Sequence, residues 1–472
     1  MTNFRRKWLI ALPVLLLQFF IFKQLYPFAS FFQDSYTYLY AAIHRHVISF
    51  RPIGYSWFLL LIHSISTSDT FLVFVQYCLL QGAGLYLYFS IDKLYRPRKV
   101  IGNILFYFLL LDPVTLYLAN VVSSDALFVS LTLVWLTGLL RMIHRPSWQH
   151  LAVQLVLLVL IFFIRYNALC YPVITAVAFL LTRKGWVFKV TGIAGAIMVL
   201  MLGVAAVREI NRKETGVRIF SAFSGWQIAN NALYVYPYIK VDTLRLPSPE
   251  CRERDRIVRE SPGHLPVDTW YMWDPNSPLK KYMFMRQRRE QTDYFTAWNR
   301  VAPVFSQYGY YLMSRHPLLF CREYGWPSTL VFFYPPLEVL MRYNEGEKNV
   351  DLTAKEWFHY NSTAVMSVCS PDVQGRLLAP LPAFYLLINL AFVPSAICFL
   401  FFRKMRDDDP GFRKGLLMTL VYFGVNAAFC IFAAPGTLRY QLASMMWLMV
   451  FTLLTCDRLV RRSNPGPAAR KE

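Results

Sequence analysis

Long apolar runs recur along the chain, and they restrict its fold more than any other feature of the sequence. A helix needs about 20 apolar residues to cross the hydrocarbon core of a bilayer. Eight runs have about this length, at residues 8–26, 69–91, 100–119, 126–142, 186–207, 379–402, 415–434 and 437–456. Only 16% of the residues are charged, against roughly 25% in soluble domains. These features predict an α-helical polytopic membrane protein.

Two shorter runs, 149–164 and 168–182, meet at Arg165-Tyr166-Asn167. Together they are too long for one crossing, so we predict a tight hairpin of two spans and about ten transmembrane helices in all. The run 53–65 is too short to span and is predicted to lie at the interface as an amphipathic helix. No small-residue cleavage site follows the first run before Asp34, which indicates an uncleaved first span.

The formal net charge of +21 tests this topology. With the N-terminus inside, the inner segments hold 22 Lys and Arg against six acids; they are residues 1–7, 92–99, 141–148, 183–189, 403–414 and 457–472. Cytoplasmic segments of membrane proteins carry such an excess. The charge is therefore topological and does not indicate nucleic-acid binding. We expect a multi-pass protein of the bacterial inner membrane with both termini in the cytoplasm.

The chain is predicted to have three parts. Residues 1–207 form an N-terminal transmembrane module of seven spans, with a first outer loop at 27–68 that contains Asp34 and Arg51. Residues 208–378 break the apolar pattern and form an inserted extracytoplasmic soluble domain. Residues 379–472 form spans 8–10 and a basic cytoplasmic tail.

Two features of the predicted soluble domain leave alternatives open. Its aromatic residues, as in Trp270–Trp273, suit carbohydrate stacking, while the commoner role of such residues is the core of a small domain. Its three cysteines, Cys251, Cys321 and Cys369, allow one disulfide in an oxidising compartment. The sequence does not select the pair.

Two acidic residues lie at outer edges of spans, where a charged group is costly and marks a functional candidate. Asp34 follows the first span among aromatic residues, and partial desolvation there is expected to raise its pKa and suit it as a general base. Asp125 begins the fourth span. Each acid is alternatively a helix N-cap. Together they either hold a divalent metal cation or divide acid and base roles. Asp112, before Pro113, is predicted to cap or break the third span.

Three arginines, Arg51, Arg165 and Arg439, also lie at predicted outer edges of the membrane. Arginine binds phosphate through a planar fork of donors and stays charged in partly apolar surroundings. Each arginine alone is equally explained by snorkelling to the interface. Three arginines and two acids on one face suit a reaction on a lipid-linked phosphate at the membrane surface.

The order of these motifs resembles the GT-C class of integral membrane glycosyltransferases, which includes protein O-mannosyltransferases and lipid A aminoarabinose transferases. The elements that carry the resemblance are Asp34 and its following residues up to Ala42, Arg51–Tyr55, Ser123–Phe128, Arg165–Asn167 and Arg439-Tyr440. The chain differs in having Tyr166 where proline is usual and Ser35 where some relatives have a second acid. The resemblance covers residues 1–185 best.

The resemblance implies transfer of a sugar, with inversion, from a polyprenyl-phosphate donor to a glycan, lipid or protein acceptor on the outer face. Asp34 would deprotonate the acceptor, and the three arginines, with a cation near Asp125, would hold the donor phosphate. The alternatives are a transporter or flippase of lipid-linked sugars and a non-catalytic subunit of a glycan assembly complex. Transporters usually bind substrate near the bilayer midplane, whereas these candidates lie at one face.

Overall fold

The computed structural model describes residues 3–261, 270–401, 409–433 and 436–463. This part of the chain is mostly helical (78%) and contains no β-strand. Eight of its helical segments are long and apolar enough to cross a membrane: Arg5–Leu25, Asp69–Tyr95, Lys99–Asn120, Asp125–His144, Trp186–Thr215, Asp372–Phe401, Pro410–Phe432 and Leu438–Val460. The fold therefore fits a multi-pass helical membrane protein.

The described residues up to 215 form ten α-helices. They are α1 (Asn3–Leu25), α2 (Gln33–Ile43), α3 (Gly54–His63), α4 (Asp69–Tyr95), α5 (Lys99–Leu111), α6 (Val114–Asn120), α7 (Asp125–His144), α8 (Trp148–Ile164), α9 (Tyr171–Leu181) and α10 (Trp186–Thr215). The predicted hairpin consists of α8, a 3-10 turn over Tyr166–Cys170, and α9. Both helices are shorter than the eight segments above, so the count of ten spans stays a prediction.

The length of α3 and the break between α5 and α6 agree with the sequence pattern. Helix α3 has 10 residues, a length of about 15 Å that cannot cross a bilayer. The third apolar run breaks at Asp112-Pro113, because proline cannot donate the next helical hydrogen bond. The carboxylate of Asp112 accepts the N–H of Val114, the first residue of the second piece, at 3.1 Å.

The described residues after 215 form eleven further α-helices. They are α11 (Ala222–Leu233), α12 (Pro249–Arg259), α13 (Pro278–Glu290), α14 (Tyr294–Arg315), α15 (Pro317–Phe320), α16 (Trp326–Phe333), α17 (Leu352–Phe358), α18 (Asp372–Leu378), α19 (Leu381–Phe401), α20 (Pro410–Phe432) and α21 (Leu438–Ser463). Short 3-10 turns lie at Tyr236–Tyr238, Thr243–Arg245, Tyr271–Trp273, Glu338–Leu340 and Tyr343–Gly346, and a π turn at Cys321–Gly325.

Polar contacts tie one set of helix ends together. Arg98, before α5, pairs with Asp457 near the end of α21. Arg458, also near the end of α21, pairs with Asp409 before α20 at 2.9 Å. These residues belong to the basic segments that the charge pattern assigns to the cytoplasm. The start of α7, the end of α8 and the start of α21 meet at the site described below.

The described part of residues 208–378 contributes to three apolar clusters, of which the smallest surrounds Tyr308 and Leu312. Helices α11, α13 and α14 enclose their own apolar cluster around Trp226, Trp298 and Phe305. The segment after α16 instead joins the large core of the membrane helices. Its Asn344 accepts the N–H of Phe31 at 3.1 Å and donates its own N–H to Ser30 at 3.0 Å, which fixes the segment to the loop between α1 and α2.

The three cysteines of this region are free in the structure. Cys251 is buried, and its thiol lies 3.8 Å from the carbonyl oxygen of Val304. Cys321 is exposed and Cys369 is partly buried. The structure therefore shows none of the disulfides that the sequence allowed.

Candidate functional site

The two acids and three arginines expected at the functional site meet in one network. Arg51 Nη2 lies 2.5 Å from Asp34 Oδ1, and Arg165 Nη1 lies 2.6 Å from Asp125 Oδ1. Arg439 joins the two pairs, since its Nη1 lies 3.3 Å from Asp125 Oδ2 and 3.7 Å from Asp34 Oδ2. The snorkelling alternative does not describe these arginines, because each is held by a carboxylate.

Helix ends bring these side chains together. Asp34 and Asp125 lie in the first turns of α2 and α7, where the helix dipole favours a negative charge. Arg165 directly follows α8, and Arg439 is the second residue of α21. The capping alternative is wrong for both acids, because the N-cap positions are Phe32 and Ser124.

Glu338 is a sixth member of the network that the sequence analysis did not identify. Its carboxylate accepts two hydrogen bonds from Arg439, at 2.9 Å from Nε and 3.3 Å from Nη2. Its backbone φ of +54° is in the left-handed region, which is uncommon outside glycine and concentrates at functional sites. The available signal was the same as for Asp34, an acid shortly after an apolar aromatic segment, here Trp326–Phe333.

Aromatic rings enclose the network. The ring of Tyr440 lies 4.3 Å from the guanidinium carbon of Arg165 and 4.6 Å from that of Arg439. Tyr38 is buried and donates a hydrogen bond to Ser124 at 3.0 Å, next to Asp125. Cation–π contacts of this kind stabilise arginines that are removed from water.

The charge state of Asp34 differs from the expectation in the sequence. Burial alone would raise its pKa, but the positive charges of Arg51 and Arg439 outweigh burial, so the pKa of Asp34 lies below its ordinary value. The expected raised pKa is therefore wrong for this arrangement. Asp34 is therefore ionised at neutral pH, and its carboxylate is a weak base as long as Arg51 contacts it.

Two cavities meet at the Asp34–Arg51 pair. The first, the outer cavity, has a volume of about 600 Å³. Its lining includes the charged residues Asp34, Arg51, Lys280, Glu338, Glu345 and Arg439 and the aromatic residues Phe32, Phe50, Trp270, Trp273 and Tyr294. Burial, with the negative charges of Glu338 and Asp34, raises the pKa of Glu345.

The second, the span-side cavity, has a volume of about 370 Å³. One part of its wall is polar and one part is apolar. The polar groups come from Asp34, Arg51, Arg165, Asn167, Ser221 and Ser224, and the apolar part includes Leu169, Phe429, Ala433 and several aromatic residues. Residues 429 and 433 lie at the end of the apolar helix α20. The two cavities share Asp34, Phe50 and Arg51 as lining residues.

The acids of the network do not present a metal site in this arrangement. Among the described residues, no group of three or more His, Cys, Asp or Glu side chains is placed to hold a metal ion. Asp34, Asp125 and Glu338 converge instead on the guanidinium of Arg439. A cation is already supplied by a side chain at the place where their oxygens converge, and the divalent cation expected near Asp125 stays a prediction.

The chain was compared with protein-family models, with curated proteins and with solved structures, and no match was found. The resemblance of its motifs to the GT-C class therefore stays a prediction, and the geometry of the two cavities carries the functional conclusion.

Proposed function

We propose that this protein is a GT-C-type glycosyltransferase with about ten spans, in which residues 208–378 face the outside of the bacterial inner membrane. It transfers a sugar from a polyprenyl-phosphate donor to an acceptor at that face. The observation that carries the proposal is the meeting of two cavities of different character at one acid–arginine pair. A transferase has to bring two substrates together at one reacting centre.

The span-side cavity suits the donor. Its apolar wall at the ends of membrane helices accommodates the first part of a prenyl chain, and Arg51 and Arg165 offer fork-shaped donors to a phosphate. Arg439, the third arginine expected at the phosphate, has 3% of its side chain exposed and bonds three carboxylates. In this proposal Arg439 positions the acids, and Arg51 and Arg165 contact the phosphate.

The outer cavity suits the acceptor, because it is larger and its wall combines charged groups with flat aromatic rings. Asp34 takes the proton of the acceptor hydroxyl, whose oxygen forms a bond to the anomeric carbon from the side opposite the phosphate. The bond between that carbon and the phosphate oxygen breaks, and polyprenyl phosphate leaves with the electron pair. The product has inverted configuration at the anomeric carbon.

Arg51 couples donor binding to the basicity of Asp34, because it faces both that carboxylate and the span-side cavity. Arg51 contacts Asp34 at 2.5 Å and also lines the span-side cavity. A donor phosphate competes with Asp34 for the Arg51 guanidinium. As Arg51 turns to the phosphate, the pKa of Asp34 rises, and Asp34 becomes a better base when the donor is in place.

The placement of the charges favours this proposal over transport. Transporters commonly bind substrate near the midplane on interrupted helices. Here Asp125, Arg165 and Arg439 all lie at ends of apolar helices, beside a large cavity that non-membrane segments help to line. This is the arrangement expected for chemistry at the membrane surface.

The test is donor consumption by the purified protein. The protein is incubated with a panel of polyprenyl-phosphate sugars and an extract of cell-envelope glycans and lipids as acceptors, and the release of polyprenyl phosphate is measured. We expect one donor to be consumed by the wild type and spared by the Asp34→Asn variant. Equal release by both proteins, or movement of intact donor across vesicle membranes without cleavage, would contradict the proposal.

A further inference from the structure

Lys280 lies in a cage of aromatic rings at the wall of the outer cavity. Its side chain is in the first turn of α13, and the residue is only 3% exposed. The distances from its ammonium nitrogen to the ring centres are 4.7 Å for Trp298, 4.9 Å for Tyr294, 5.2 Å for Trp226 and 5.4 Å for Trp273. A lysine that is almost completely buried is rare unless it is paired.

The cage has a rigid floor. Trp226 and Trp298 stack at 3.8 Å, and Trp298 and Trp273 stack at 5.0 Å, each pair with an interplanar angle of 10°. The indole nitrogen of Trp226 also donates a hydrogen bond to the backbone oxygen of Trp298 at 3.1 Å. The three indoles therefore hold their positions without a ligand.

The position of Lys280 is unfavourable for folding in two respects. A positive charge in the first turn of a helix opposes the helix dipole. Burial also lowers the pKa of the Lys280 ammonium to about 8. Within the described residues, its only hydrogen-bond partner is the hydroxyl of Tyr294, and no carboxylate pairs with it. An ammonium has three donors, so two remain for a molecule in the cavity.

We propose that Lys280 and the face of Trp273 form a subsite for an anionic saccharide, in which Lys280 binds a carboxylate or phosphate group of the acceptor. The term acceptor rests on the proposed function, whereas the subsite itself rests on the cage and the cavity. Arg51 lies 5.5 Å from the centre of the same Trp273 ring that Lys280 approaches to 5.4 Å. One bound molecule is therefore able to reach both Lys280 and the Asp34–Arg51 pair.

The charges of the outer cavity also set the orientation of such a molecule. Asp34, Glu338 and Glu345 lie on its wall and repel an anionic group. Arg51 and Arg439 also line the cavity, but each is paired with a carboxylate, whereas Lys280 has no carboxylate partner among the described residues and attracts the anion. The anionic end is thus directed to the aromatic cage. The neutral hydroxyl end is left to approach Asp34, which is the orientation that the proposed transfer requires.

The experiment measures ligand stabilisation of the full-length protein in lipid nanodiscs. The unfolding temperature is followed with glucuronate, with glucose 6-phosphate and with glucose at equal concentration and equal ionic strength, since a ligand of the native state raises it. We expect at least one anionic sugar to stabilise the protein and glucose to have a much smaller effect. The two anionic probes distinguish a carboxylate from a phosphate, and either supports the subsite.

Lys280→Met keeps an unbranched apolar stem in the cage and removes the charge. It should weaken the apparent affinity for the effective anionic sugar by about tenfold or more. Lys281→Met is the matched control, because Lys281 is exposed on the same helix, and it should bind as the wild type does. Near-ultraviolet circular dichroism of the indoles checks that the cage of the Lys280→Met variant remains folded.

Two results would overturn the subsite: equal stabilisation by glucose and the anionic sugars, or an undiminished anion preference in folded Lys280→Met protein. The second result would assign the anion to the arginines. Because no donor is needed, failure of the transferase proposal is distinguishable: the donor panel would remain unconsumed while anionic sugars still bind through Lys280.

Discussion

Arg439 divides its guanidinium among carboxylates from three distant parts of the chain, Asp34, Asp125 and Glu338. Breaking a buried ion pair by removing one partner costs more than the pair contributes, because a charge is left unpaired. The members of this network are close enough to couple, so the effects of their substitutions will not add. Tests at this scale therefore need variants that break the same contact from both sides.

The first prediction compares Asp34→Asn with Arg51→Gln, which break the same ion pair. If Asp34 is the base, Asp34→Asn lowers kcat by about 10²–10⁴-fold. Arg51→Gln keeps the carboxylate but loses a phosphate contact, so it should mainly raise the KM for the donor. The measurement is the transfer rate against donor concentration. A similar loss of kcat in both variants would show that the rate depends on the intact ion pair and not on Asp34 as a general base.

The second prediction concerns the pH dependence of the reaction. The pKa of Asp34 is held down by Arg51 and Arg439 against the effect of burial. Removing the charge of Arg51 raises that pKa, and Asp34 acts as a base only when it is ionised. The acid limb of the kcat/KM profile of Arg51→Gln should therefore move to higher pH. Arg342→Gln, at an exposed ion pair with Asp372, is the control and should leave the limb unchanged.

At the scale of elements, the crossing of α11 and α14 determines the shape of the aromatic cage. A Cβ atom at Gly225 would lie 2.3 Å from the backbone oxygen of Ala302, and one at Gly309 would lie 2.7 Å from that of Ile228. Only glycine permits this approach of the two backbones. The close crossing stacks Trp226 of α11 on Trp298 of α14.

The third prediction follows from that crossing. Gly225→Ala should destabilise the protein by about 1–3 kcal/mol, because the added methyl group meets backbone that cannot turn aside. It should also alter the near-ultraviolet circular dichroism of the stacked indoles. Gly82→Ala is the control, since a Cβ there has no neighbour within 4 Å and alanine favours a helix interior. Equal stability of the two variants would contradict the packing argument.

Elements differ in how well the sequence predicts them. The long helices follow from apolar runs of spanning length, and the break at Asp112 follows from the chemistry of Pro113. Asp34, Asp125, Arg165 and Arg439 could be singled out because a charge at the end of an apolar run is costly. Their pairing could not, because it depends on which helix ends are neighbours in the folded chain.

Glu338 and Lys280 show where the sequence is less informative. Glu338 follows an apolar aromatic segment, as Asp34 does, but it reaches the network through an irregular segment with a left-handed backbone, and no periodic pattern predicts that position. Lys280 stands beside Lys281 in a strongly basic helix and looks like a solvated residue. Only the packing of α11 and α14 against α13 shows that Lys280 is buried among indoles.

At the scale of the whole molecule, the fourth prediction tests the orientation in the membrane. Single cysteines replace Lys93, in a basic segment, and Leu244, which is 82% exposed in the region between α11 and α12. The background lacks the native cysteines, because Cys321 is exposed. An impermeant thiol reagent should label Leu244→Cys in intact cells and Lys93→Cys only after lysis. Labelling of Lys93→Cys in intact cells would contradict the predicted orientation and indicate the opposite one.

The network around Arg439 also sets an order of events during synthesis. Asp34 leaves the ribosome early, whereas its partner Arg439 follows roughly 400 residues later, a delay of roughly 20 to 80 s at common elongation rates. During most of that time the chain contains Asp34 and Asp125 but lacks the guanidinium that joins them. The network is completed only when the last helix inserts, and on the proposed function a partly made chain in the membrane is inactive.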